Sequence, residues 1–138
     1  MKFLPVALLA LIAAPAPATA ATPVTGKWIT AERDSIIEIG NCGTTVCGKV
    51  LRVMKMMPDG KPPIDANNPN PTLRSRPVQG IMILTGFTDG GSNWNGRIYD
   101  PKSGKNYKSK LARNPDGSLT VQGCVAFLCQ SFKWTAAK

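Results

Sequence analysis

Four cysteines stand as two pairs at one spacing, CGTTVC at 42–47 and CVAFLC at 124–129. Thiols so placed could ligate zinc, cycle electrons or cross-link the chain. Neither pair is the C-x-x-C of a redox centre. A C-x4-C spacing does set two cysteines opposite each other across a hairpin loop of four residues, within disulfide reach. Bonds Cys42–Cys47 and Cys124–Cys129 are therefore expected in an oxidising compartment. Each closes a short loop and restricts the unfolded chain by only about 2 kcal/mol. Other chemistry is thinly represented. The chain has no histidine, which removes the commonest general base and the Ser-His and Cys-His nucleophile systems. Its eight acids form no close pair with a catalytic frame. Met54, Met56 and Met57 in VMKMMP offer thioethers to copper(I), but adaptable apolar contacts at a barrel mouth are the favoured reading. No enzyme, cofactor or metal site is expected. Arg74 and Arg76, in LRSRP, would alternate on an extended segment with both guanidinium groups on one side. There they would clamp a carboxylate or phosphate, or else pair with Asp65, Asp100 or Asp34 and pin their own loop.

The elements that must carry these residues are strands. Beyond residue 20 no stretch holds helical apolar spacing for three turns; short β-rich runs alternate with Gly, Asn, Asp and Pro clusters. Eight strands are predicted, at 24–30, 35–40, 46–56, 79–88, 93–99, 105–113, 118–125 and 129–135, punctuated by turn chemistry such as TDGGSN, DPKSGK and NPDGS. Trp94, Gly96 and Ile98 share one face, as do Tyr107, Ser109 and Leu111, then Leu119, Val121 and Gly123, then Phe132 and Trp134. The opposite faces carry Asn95, Arg97, Lys108, Lys110, Thr120 and Gln122. Strand 79–88 is apolar on both faces and needs a cover, which the long loop before it can provide. The fold class expected is all-β: a single eight-stranded antiparallel up-and-down barrel, with a sandwich as the alternative. On that topology the two cysteine pairs lie at opposite ends, so four sulfurs cannot share one zinc.

The chain opens MKFLPVALLALIAAPAPATA. Lys2 is a positive n-region, Phe3 to Ala14 an apolar run too short to span a bilayer, and Ala18-Thr19-Ala20 a small-x-small cleavage motif. Residues 1–20 are read as a signal peptide and 21–138 as one β-barrel domain, periplasmic or secreted. The net charge of +9 loses one positive charge with Lys2. It admits an anionic envelope component as partner, although the basic residues are scattered, and neither nucleic acid nor stable membrane insertion is expected.

One segment does not read as barrel: PDGKPPIDANNPNPTLRSRPVQG, 58–80, joining the third and fourth strands. A loop this long in a compact domain has a task or is disordered; its prolines and asparagines favour an ordered flap, with Leu73 tucked into apolar surface. Turn counting places this flap at the same end as the first, fifth–sixth and seventh–eighth turns.

These residues resemble a known family. DANNPNPTLRSRPVQG, WNGRIYDPKSGKNYKSKL and LTVQGCVAFLCQSFKW together are similar to the bacterial exported family called domain of unknown function 2147 (DUF2147). The shared pattern includes Asp65, Asn68, Pro69, Leu73, Arg74, Arg76, Pro77, Trp94, Gly96, Tyr99, Asp100, Gly104, Tyr107, Gly123 and Trp134. The resemblance implies a lipocalin-like barrel of unestablished role, with lipid or fatty-acid-type binding proposed for relatives and no catalytic residue to inherit. Gly26-Lys27-Trp28 is similar to the G-x-W opening of lipocalins. Two functions follow as expectations. In the first, Phe87, Trp94, Tyr107, Phe132 and Trp134 line or plug a cavity for a small lipophilic molecule, with an anionic head near Arg74, Arg76 or Tyr99. In the second, a filled barrel meets an envelope partner through the flap and its basic surface. Cavity volume separates them.

Overall fold

The computed structural model describes residues 2–3, 5, 9–15 and 19–138. Much of the leader reading, including Ala18 of the cleavage motif, lies outside them. Eight strands follow in order: β1 (Gly26–Ile29), β2 (Ser35–Cys42), β3 (Thr45–Val53), β4 (Met82–Asp89), β5 (Trp94–Asp100), β6 (Lys105–Arg113), β7 (Leu119–Val125) and β8 (Leu128–Ala136). Each pairs antiparallel with the next and β1 pairs with β8, so the sheet closes into an up-and-down barrel. Closure pairs most of the sheet edge that a sandwich would leave free.

The predicted strands differ from the observed ones mainly beside the flap. The third ends at Val53 rather than 56, and the fourth begins at Met82 rather than 79. Gly80, with φ +98°, and a register shift opposite Lys49 break the ladder there. Val50 still donates its N–H to the Ile81 carbonyl, and Gly80 donates to Val50.

Both disulfides form as expected, Cys42–Cys47 across the β2–β3 turn and Cys124–Cys129 across the β7–β8 turn. They lie at opposite ends of the barrel. Among the described residues, no group of three or more His, Cys, Asp or Glu side chains is arranged to hold a metal, and no helix is long and apolar enough to cross a membrane.

The interior is filled at one end only. Val24, Trp28, Ile39, Val46, Leu84, Phe87, Leu111 and Leu119 are buried there. Two glycines let opposed walls meet: a Cβ on Gly96 would sit 2.6 Å from the Phe87 ring, and one on Gly48 would sit 2.8 Å from Leu84 Cδ1. The segment before β1 seals this end. The Trp28 indole N–H donates to the Val24 carbonyl (3.0 Å), and that of Trp94 donates to Thr22 (2.9 Å). The Arg113 guanidinium lies over the Trp28 ring, 5.4 Å from its centre, a cation–π contact at the surface of the seal.

Candidate functional site

The other end of the barrel is open. A cavity of about 1240 Å³ descends from the mouth between walls of Ile37, Val50, Val53, Ile98, Val121 and Trp134. Alternation puts these side chains inward: Ile37 pairs with Val50, and Val121 with Phe132, so facing strands present apolar groups at the same level. Tyr107, Phe132 and Gly123 continue the lining, and Met56, Met57, Ile64, Val125 and Leu128 form its lip. The wall is incomplete on one side. β1 pairs with β8 only at Trp28–Ala136 and Ile29–Thr135, although β8 begins at Leu128. Residues 128–133 consequently have no strand on their β1 side and are exposed.

Charge is confined to the rim. Glu32, Asp34, Asp100, Lys55 and Lys102 line the mouth, and the walls below it are apolar. Lys102, in the β5–β6 turn, bridges to Glu32 and, at 2.8 Å, to Asp34, both in the β1–β2 turn. Burial disfavours the Asp34 charge, but hydrogen bonds from Lys102 and Thr30, together with the Lys102 charge, hold its carboxyl below the usual value. Lys55 donates to the Glu32 carbonyl at 2.9 Å.

The flap is fastened beside this mouth by a single buried carboxylate. The Asp65 side chain is 0% exposed. It accepts from the Tyr99 hydroxyl (2.6 Å), the Asn68 amide (2.8 Å) and Arg76 Nε (2.9 Å). Burial by itself would push the Asp65 carboxyl up; these three donors and the Arg76 charge outweigh it, and the group sits below its ordinary value. Burial and the neighbouring carboxylate push the Tyr99 phenol up to about 12, so it serves as a donor. The backbone repeats the fastening, with the Asp65 N–H donating to the Arg76 carbonyl and a bridge between Ile64 and Pro77. A second fastening joins flap to turn: the Asn67 amide donates to the Lys102 carbonyl at 2.8 Å. Gly104, with φ +71°, lies against it so closely that a Cβ would collide with the Asn67 carbonyl.

The two arginines do not alternate on an extended segment. Asn70 caps a 3-10 turn over Pro71–Leu73, its side chain accepting from the Thr72 N–H, and Arg74 continues in helical geometry. Proline at the first helical position and an asparagine cap favour that turn over a strand. Arg74 Nε donates to the Asn68 carbonyl (2.8 Å) and Arg76 to Asp65. Each arginine is thus tied to the flap through its Nε, and neither lines the cavity. Leu73 is half-buried. Asn68, through its side chain, turns the flap, accepting from the Asn70 N–H at 2.8 Å. Pro69 and Pro77 flank the 3-10 turn. Of the aromatic residues expected at the cavity, Tyr99, Tyr107, Phe132 and Trp134 line it, whereas Phe87 and Trp94 belong to the sealed end. Asp100 caps its own turn, accepting from the Lys102 N–H and the Ser103 hydroxyl, and touches the rim. Sequence reasoning did not single out Ile37, Val50 and Val53, although Ile37 and Ile39 in SIIEIG alternate with Glu38 and mark that inner face.

Comparison with known proteins agrees with the barrel fold. Residues 26–136 match DUF2147, a family of uncharacterized proteins conserved in bacteria. No curated protein matches the chain. Among solved structures the chain is similar to HP1028 of Helicobacter pylori, described as belonging to the lipocalin family, with a TM-score of 0.72 and 23% identity over 86% of this chain and 85% of that one. That likeness shows the fold. The family match spans all eight strands, the flap and its Asp65 fastening, and the chain belongs to DUF2147.

Proposed function

We propose that this protein is a periplasmic or secreted carrier that holds one small lipophilic or amphipathic molecule, fatty-acid-like in its apolar part, in the open half of the barrel. The observation that carries the reading is the cavity of about 1240 Å³ with apolar walls and a charged rim. Ligand pockets of drug-sized molecules occupy roughly 300–1,000 Å³, and a barrel filled throughout leaves no such void. An apolar tail would lie against Ile37, Val50, Ile98, Val121 and Trp134. Its polar end would meet the rim, where the cations are Lys55 and Lys102, the latter already bridged to Glu32 and Asp34, and where Asp100 is a further acid. This assigns the head group to the mouth lysines rather than to Arg74 and Arg76, neither of which lines the cavity. Two disulfides suit an oxidising extracytoplasmic compartment. We read the protein as a binding module and not as an enzyme: catalysis by a histidine is unavailable to it, and its buried carboxylate is committed to holding the flap.

Native mass spectrometry of protein purified gently from its own envelope, followed by organic extraction, tests this. A discrete excess mass that departs with the solvent supports the carrier and gives the ligand's class. A bare chain that also takes up no dansylated undecanoic acid would shift the function to partners met through the flap.

A further inference from the structure

The two disulfide-clamped hairpins have the same covalent plan and opposite chemistry at their tips. At the sealed end the tip is Gly43-Thr44, small and polar, with Gly43 at φ +63°. At the open end it is Ala126-Phe127, with Ala126 at φ +52°, a left-handed position that glycine or asparagine fills at lower cost. Phe127 is 90% exposed, Leu128 71% and Val125 62%. Three apolar side chains thus stand in water on a turn that accepts a polar sequence elsewhere in the same molecule. Such a break of a local rule points to use rather than to stability. The tip is also stiff, since Cys124–Cys129 ties the strands directly beneath it.

The surroundings select the partner. Val125 and Leu128 line the cavity mouth, so the exposed patch is continuous with the apolar walls inside. Met56, Met57 and Ile64, each about half exposed, extend it around the rim. Lysines flank it: Lys108 lies opposite Cys124, and the same register continued places Lys105 level with Phe127. Both are exposed, and among the described residues neither forms an ion pair. An apolar tip flanked on its β6 side by two exposed lysines, with the acids Glu32, Asp34 and Asp100 elsewhere on the rim, matches the chemistry of an anionic bilayer surface, where aromatic and aliphatic side chains enter the headgroup region while lysines meet phosphate.

We propose that the 125–128 hairpin tip docks the open mouth on an anionic lipid membrane, so that a lipophilic molecule passes between bilayer and cavity without crossing water. The direction of passage rests on the carrier reading; the docking itself rests on the tip.

The test compares the full processed chain with Ala126→Gly/Phe127→Thr, which copies the polar tip of the other hairpin and relieves the left-handed alanine, so folding is retained. A second variant, Lys105→Glu/Lys108→Glu, removes the flanking cations. Each is sedimented with vesicles of phosphatidylcholine and phosphatidylglycerol in equal parts, and separately titrated with dansylated undecanoic acid in solution. The wild type is expected to sediment with the mixed vesicles and to be released by salt. The tip variant should partition about tenfold less or weaker still, and the charge variant should lose the preference for phosphatidylglycerol. Both variants should bind the soluble probe as the wild type does. Equal partitioning of wild type and tip variant, or no sedimentation of either, overturns the proposal. Equal binding to pure phosphatidylcholine vesicles overturns the anionic commitment. A tip-dependent dimer in sedimentation velocity without vesicle binding makes the tip a contact between copies instead. Tip-dependent vesicle binding with no uptake of the probe leaves docking in place and removes the carrier.

Discussion

Asp65 shows how one residue serves fold and function together. It is the only acid of the chain whose residue is fully buried among those described, and its three donors come from the flap and from β5. Tyr99→Phe removes one hydrogen bond to a charged acceptor and should cost about 1.5–3 kcal/mol in chemical denaturation. Asp65→Asn should cost a similar amount through the Arg76 contact, with a pH signature. Because the folded carboxyl sits below its ordinary value, its contribution is complete above the unfolded value of about 3.9 and is lost as pH falls through the folded one. The stability gap between wild type and Asp65→Asn should therefore stay constant above about pH 5 and close in acid. A gap unchanged down to the acid transition would show that the charge of Asp65 does no more than its shape. A second residue bears on processing. The Ala21 N–H lies 3.0 and 3.2 Å from the two oxygens of Asp89. An amide has one hydrogen for those two acceptors, whereas an α-ammonium has three. Cleavage after Ala20 would create that ammonium in place and seat it on Asp89. If the chain is cut there, N-terminal sequencing of protein recovered from its native cells should begin at Ala21, and Asp89→Asn should cost that form about 1 kcal/mol or less, as exposed ion pairs do. A mature start at any other residue removes this anchor.

At the scale of elements, strands and hairpins were legible and the flap's internal build was not. Turn clusters such as DPKSGK state where a strand must stop, and alternation in Leu119, Val121 and Gly123 states which face is inside, because both signals are local. The flap's fastening is not local. Asp65 meets Tyr99 across 34 positions and Asn67 meets Lys102 across 35, so no periodicity records either contact. Five of the residues that carry the family resemblance, Asp65, Asn68, Arg76, Tyr99 and Gly104, form or border these contacts, and so part of the pattern reports how the flap is held. The 3-10 turn did have a local signal, Asn70 before Pro71, but the extended reading of LRSRP overlooked it. Gly104 tests the fastening. Gly104→Ala must adopt φ +71° and displace the Asn67 carbonyl; it should cost about 2 kcal/mol or more and open the flap to limited proteolysis. Gly60→Ala makes the comparison, having φ +79° with open space around it. It should cost only the backbone strain, about 1–2 kcal/mol, and leave the proteolysis pattern unchanged. Equal cleavage in the two variants would mean that the flap is not held through the Gly104 contact.

Taken whole, the molecule is a barrel packed at one end and hollow at the other, so a core filled throughout describes only half of it. That division was hidden in the sequence because the same residue types line both halves. Alternation identifies an inner face, yet whether opposite walls meet depends on the sum of side-chain volumes over eight strands and on their register. The inner glycines make the point. Gly48 and Gly96 are occupied by Leu84 and Phe87, whereas a Cβ on Gly123 would meet only Ile98 and Tyr107, at 3.9 Å. Three glycines of the same sequence appearance therefore have two opposite roles. Gly96→Ala should overpack the sealed half and cost about 1–3 kcal/mol, without reaching the cavity. Gly123→Leu projects new side-chain volume into the hollow half, where an added Cβ meets only ordinary van der Waals contacts. It should leave the melting temperature unchanged or raise it, and weaken uptake of dansylated undecanoic acid. If Gly123→Leu instead destabilises the protein as Gly96→Ala does, the upper half is already packed in solution and the barrel has no room to carry anything.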